Sequence, residues 1–225
     1  MRSPALLAAA GLAAIAVVDS FSQPAAATSY TSSSAFDAAT AGDSFSIEQY
    51  GSGSAGQLVA NGETLDGLTY QFVAGPSGDL QGGIITSEFD SFSGLSLGGN
   101  QSDGLQFFFG GDSFTVTFPK PIKAVGVFFN VNQNSGNYDV DSSAGDASTA
   151  SGTYDTSTFV FDGIVSNSPF ASITVSSEDL ALGSFNIPEI EYASVPEPLT
   201  LSIFGAALVG AAAVARRRRK ANKAV

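Results

Sequence analysis

The stretch Ser113-Phe114-Thr115-Val116-Thr117-Phe118-Pro119-Lys120-Pro121-Ile122-Lys123-Ala124-Val125-Gly126-Val127 decides the fold class. Its first six residues alternate strictly. Phe114, Val116 and Phe118 share one side, and Ser113, Thr115 and Thr117 share the other. A period of two predicts a β-strand with one buried face. Pro119 and Pro121 then interrupt the ladder, because proline has no N–H to donate. Residues 124–131 are almost continuously apolar, which predicts a strand covered on both faces.

The same grammar repeats on either side. Leu68, Tyr70, Phe72 and Ala74 fall on one face. Ala171, Ile173 and Val175 do so again, with Ser172, Thr174 and Ser176 opposite. Residues 105–109, broken only by Gln106, read as a second strand buried on both faces. Shorter candidates lie at 45–50, 57–60, 83–87, 158–165 and 185–192. Gly98-Gly99-Asn100 and residues 132–137 read as turns between strands. No stretch between Thr28 and Tyr192 has a convincing helical period. About ten short strands with such punctuation predict an all-β, antiparallel β-sandwich or jelly roll over residues 44–192. A closed barrel is the alternative.

Composition narrows the chemistry. The chain has 225 residues, with no His, no Cys and no Trp. Imidazole bases, thiol nucleophiles, disulfides and thiolate zinc sites are therefore excluded. Residues 28–194 hold 19 acidic residues against two basic ones, Lys120 and Lys123, a net charge of −17. Such a body repels nucleic acid and anionic surfaces. Glycoside hydrolysis needs only two carboxylates, but no pair stands out in the sequence, so the reading is a non-enzyme.

The two ends read as addresses. Arg2 precedes an apolar run at residues 6–18, and Ala25, Ala26 and Ala27 supply an Ala-x-Ala site with cleavage before Thr28. That is the pattern of a secretory signal peptide over residues 1–27. At the other end, Val195-Pro196-Glu197-Pro198 precedes an uncharged run at 199–215, then Arg216, Arg217, Arg218, Arg219 and Lys220. A helix of that length rises about 26 Å, close to the bilayer core of about 30 Å. The basic run would stop transfer and leave the body outside the cytoplasm.

The order Pro-Glu-Pro, short span and Arg-rich tip resembles the PEP-CTERM sorting signal of Gram-negative bacteria. The resemblance covers residues 195–225 and implies recognition and cleavage by exosortase, a membrane-embedded cysteine transpeptidase. The membrane anchor would then be transient. The final location implied is the outer cell surface or the extracellular space, in association with extracellular polysaccharide.

Residues 114–127, Phe161-Asp162-Gly163, Pro169-Phe170-Ala171-Ser172-Ile173 and 185–192 also resemble ectodomains carried by such proteins. They read as a strand–Pro turn–strand, a later hairpin and a last strand. This second resemblance implies a galactose-binding-like jelly roll over residues 28–194. The expected function is a structural or adhesive surface protein. The alternative is a carbohydrate-binding module, or a glycoside hydrolase, on a plain C-terminal anchor.

Two ligand sites are read from residue type alone. Asp139, Asp141 and Asp146 surround Gly145 in a loop-like segment, a loose match to a Ca²⁺ loop that does not fit the EF-hand spacing. No other cofactor is expected. Tyr50, Tyr70, Tyr138 and Tyr154 are the candidate sugar-stacking rings, since a sugar site needs an aromatic platform with polar groups at its rim.

Overall fold

The structure is a computed structural model, and it describes residues 27–76, 78–89, 91–133, 136–153, 159–177 and 183–194. In chain order the elements are β1 (Thr28–Tyr30), α1 (Ser33–Ala39), β2 (Phe45–Glu48), β3 (Leu58–Val59), β4 (Thr64–Leu65), β5 (Leu68–Val73) and β6 (Leu80–Thr86). They continue with β7 (Ser96–Gln101), β8 (Phe108–Phe109), β9 (Ser113–Gln133), β10 (Gly136–Ser142), β11 (Ala147–Gly152), β12 (Phe159–Ser177) and β13 (Ser184–Ser194). Every strand pairing is antiparallel.

β9 organises the body. Its first half, up to Thr117, pairs with β5 on one side and with the end of β12 on the other. Its second half, from Ile122, pairs with the start of β12 and with β13. The change of partner falls at Pro119 and Pro121, where no N–H is available to continue the first ladder. The expected strand–turn–strand is thus one long strand with a corner. β12 behaves likewise: it runs on through a register shift between Val165 and Phe170, where a hairpin had been expected.

The two long strands therefore feed two layers. One holds β4, β5, the first half of β9, the second half of β12, β10 and β11. The other holds β1, the first half of β12, the second half of β9, β13, β2 and β8, and continues through β7 to β6 and β3. Buried rings join the layers. Phe108 lies 5.0 Å from Phe114 and 5.2 Å from Phe185, and Tyr138 lies 5.0 Å from Phe129 and 5.5 Å from Phe185. Phe114, Val116 and Phe118 all point inward, as the alternation predicts, and so do Leu68, Tyr70 and Phe72.

A helix, α1, is present where none was expected. It is too short to stand on propensity. Phe36 holds it down, fully buried against the outer face of the second layer. Gly163 makes the room: a Cβ there would come within 3.0 Å of the Phe36 ring. Phe36, Ala124, Phe161 and Ala193 form a second, smaller core. This is why residues 124–131 are apolar on both sides.

Other expectations shift for local reasons. Gly98, Gly99 and Asn100 lie inside β7 rather than in a turn. A Cβ on Gly98 would stand 2.0 Å from the Gln106 carbonyl oxygen, and one on Gly99 would stand 2.8 Å from that of Phe107. These glycines serve close backbone approach. Only Phe108–Phe109 of the 105–109 run is strand, and Leu105 is exposed. Ala74 follows the end of β5 and is exposed. Ala171 is exposed too, because a register shift between Phe170 and Ser172 turns Phe170 inward in its place.

Asp112 ties three segments together. Its buried carboxylate accepts the N–H of Gly75 at 2.7 Å, the Gln101 side-chain amide at 2.9 Å and the N–H of Phe109 at 3.0 Å. Asp112→Ala leaves three donors without their acceptor, at roughly 3 kcal/mol in total. Urea denaturation should show that loss, and an unchanged midpoint would remove the role assigned to Asp112.

Candidate functional site

The described residues form an open groove of about 350 Å³ on the outer face of the second layer. Phe159, Val160 and Phe161 come from the start of β12 and Phe128 from β9. Ala150 and Ser151 come from the end of β11, and Thr31, Ser32 and Ser33 from the step between β1 and α1. The ladder fixes the floor, because Phe161 pairs directly with Phe128 and their rings lie 4.9 Å apart, edge to face.

Phe92 extends this floor into a ledge. It is 47% exposed, and its ring lies 4.5 Å from Phe159 and 5.1 Å from Phe128. Next to it, the Ser93 hydroxyl donates to the Gln49 carbonyl oxygen at 2.6 Å and fixes the loop. The rim is made of hydroxyls. Ser32 and Ser34 share a hydrogen bond of 2.9 Å, and Ser151 donates to Asn137 at 2.8 Å. Among the described residues no acidic or basic side chain lines the groove. An apolar aromatic floor with a hydroxyl rim offers stacking and neutral hydrogen bonds.

None of the perturbed carboxyls is among the residues that line the groove. Burial pushes Glu48 up to about 7, opposed by the Tyr50 N–H that donates to it at 2.5 Å. Burial also pushes Asp162 up to about 7; the hydrogen bond from the Ser148 hydroxyl opposes the rise, and the negative field of Asp139 and Asp141 adds to it. Glu191 is raised to about 7 by burial, then by Asp37 and Glu189. Burial raises Glu189 as well, while a hydrogen bond from Gln49 pulls it back. Glu189 and Glu191 stand two residues apart on β13, with Glu189 opposite Phe128, while Glu48 pairs with Ile190 and Asp162 with Val127.

The expected Ca²⁺ loop is a strand and a turn. Asp139 and Asp141 lie on β10, where Asp139 accepts a hydrogen bond of 2.6 Å from Thr149. Asp146 lies in the turn before β11 and is held by the Ser142 hydroxyl, which accepts its N–H at 3.1 Å. Burial and the charge of Asp139 raise Asp141. Among the described residues no three acidic groups are arranged to hold a metal ion.

The expected tyrosine platform is also corrected. Tyr50, Tyr70 and Tyr138 are wholly buried in the main core and present no face to a ligand. Burial raises the Tyr50 hydroxyl well above its ordinary value. Tyr154 lies outside the described residues, as do Ala25, Val195, Pro196, Glu197, Pro198, Arg216, Arg217, Arg218, Arg219 and Lys220. Among the described residues no helix is long and apolar enough to cross a membrane. Thr28 opens β1, and its Cα pairs with Val165.

No protein-family model matches the chain, and no curated protein matches it. Two solved structures are similar in shape. One comes from the cellulosome of Ruminococcus flavefaciens, described as reflecting an expansion in glycan recognition. It is 14% identical over 68% of this chain and 97% of that one, with a TM-score of 0.32. The other is the CBM22-1 xylan-binding domain from Paenibacillus barcinonensis Xyn10C. It is 14% identical over 64% of this chain and 99% of that one, with a TM-score of 0.36.

Proposed function

We propose that the chain is an exported protein of the cell surface or extracellular matrix, with a jelly-roll-like, non-catalytic body that adheres to polysaccharide. A signal peptide starts its export, and a PEP-CTERM tail processed by exosortase completes it. The observation that supports the adhesive part of this reading is the position of residues 28 and 193 relative to the groove. Thr28 pairs with Val165, Val165 with Ala124, and Ala124 with Ala193. Both ends of the body thus lie in one row of the second layer, three strand spacings apart, or about 14 Å.

The groove lies towards the other end of that layer. Along β9, Phe128 is four residues beyond Ala124, about 13 Å at the rise of a strand. A body held by its C-terminal end would keep its aromatic ledge away from the tether. This supports an adhesive role.

Export is tested in cells with and without exosortase. With the enzyme, the product should lack the residues beyond the motif Val195-Pro196-Glu197-Pro198. Without it, the tail should persist and the body should stay with the inner membrane. Glu197→Ala should give that same retained species in competent cells. An intact Arg-rich tail on surface protein in competent cells would reduce the tail to a plain anchor.

A further inference from the structure

We propose that the groove beside Phe92 takes a neutral glycan chain and rejects acidic ones. The inference rests on the polysaccharide reading above and names its ligand class. Three rings, Phe92, Phe128 and Phe159, meet at centroid distances of 4.5 and 5.1 Å and form a ledge. An exposed Phe keeps apolar surface in water, and stacking by the C–H face of a pyranose removes it. Thr31, Ser32, Ser33 and Ser151 rim the groove, with hydroxyls that donate to or accept from sugar hydroxyls.

Charge selects the class. A uronate or sulfate needs an Arg or Lys to replace its water. The body holds two cations in all. Lys123 is tied to Asp43 at 2.8 Å, and Lys120 lies at the proline corner of β9, eight residues from Phe128. The carboxyls that neighbour the floor have the wrong sign. Glu189 pairs across the ladder with Phe128, and the Glu191 carboxyl and the Phe161 ring flank the same glycine, Gly126. A net −17 over residues 28–194 repels polyanions at longer range. A neutral chain pays none of this cost.

The test is affinity electrophoresis of the full chain in a mild non-ionic detergent. Gels carry hydroxyethyl cellulose, galactomannan or xylan stripped of its acidic side groups as neutral probes, and alginate or polygalacturonate as acidic ones. Retardation is expected by at least one neutral probe and by neither acidic one. Phe92→Ala, at an exposed position, and Phe159→Ala should each weaken that retardation at least tenfold. Val73→Ser, at an exposed apolar site on β5 in the other layer, should leave it unchanged. Retardation by an acidic probe that is lost in Phe92→Ala would overturn the neutral class and keep the polysaccharide reading. Neutral binding that survives both Phe substitutions would overturn the groove. No retardation by any probe would overturn the polysaccharide reading itself. A native size that falls in Phe92→Ala would give the ledge to a second copy of the chain and overturn the glycan assignment.

Discussion

Phe185→Ala should lower the stability of the body by roughly 3–5 kcal/mol, the usual cost of removing a buried ring. Phe185 is fully buried on β13, and its ring meets Phe108, Phe129 and Tyr138 at 5.2, 5.8 and 5.5 Å. Two of these rings stand on its own layer and one on the facing layer. The substitution would open a cavity where the layers join, not at an edge. No disulfide limits the damage, since the chain has no Cys. Urea denaturation should show a lower midpoint with an unchanged slope. A loss under about 1 kcal/mol would mean that the layers do not meet at this ring.

Acid should stabilise the protein. Glu48, Asp162 and Glu191 have ordinary values of 4.5, 3.8 and 4.5, and burial pushes each up to about 7. Between those limits the folded state holds protons that the unfolded chain has released. The stability these groups contribute is therefore complete below about pH 4 and is lost as pH rises through about 7. Shifts of that size correspond to roughly 3–4 kcal/mol each as an upper bound. The raised values of Glu189 and Asp141 act in the same direction.

The melting temperature should thus be higher at pH 5 than at pH 8. Part of that difference comes from the −17 body, whose self-repulsion fades on protonation. The triple variant Glu48→Gln, Asp162→Asn, Glu191→Gln separates the two effects, because it should flatten the curve between pH 5 and 8 and leave only the general charge effect. A melting temperature that rises with pH would refute the burial of these three groups as charge-averse sites.

The strands were legible where alternation was strict. Phe114, Val116 and Phe118 needed no tertiary information, because one face of a strand must be apolar to be buried. Legibility failed where one residue type serves two purposes. Gly98 and Gly99 read as a turn, but they are small because the backbone at Gln106 and Phe107 lies against them. β10 is rich in Asn and Asp and reads as a loop. Its inward residues Tyr138 and Val140 alternate correctly, but two apolar positions among polar ones are a faint signal. α1 spans only two turns, with one anchor, Phe36, so no period can be seen.

The groove was the least legible feature. Its lining comes from four segments distant in sequence, so no local spacing records it. Its Phe residues read as core, which is the usual place for Phe. One sign was present: Phe92 stands alone between Ser91 and Ser93, in a segment with no strand pattern to bury it.

The central claim is that the body reaches the cell surface after processing at both ends. Intact mass spectrometry of the protein from the surface fraction of its own cells tests this most directly. The expected species begins at Thr28, within about two residues of the Ala-x-Ala site, and ends at or near Val195-Pro196-Glu197-Pro198. A surface species whose mass includes residues 199–225, or one that begins at Met1, would contradict it.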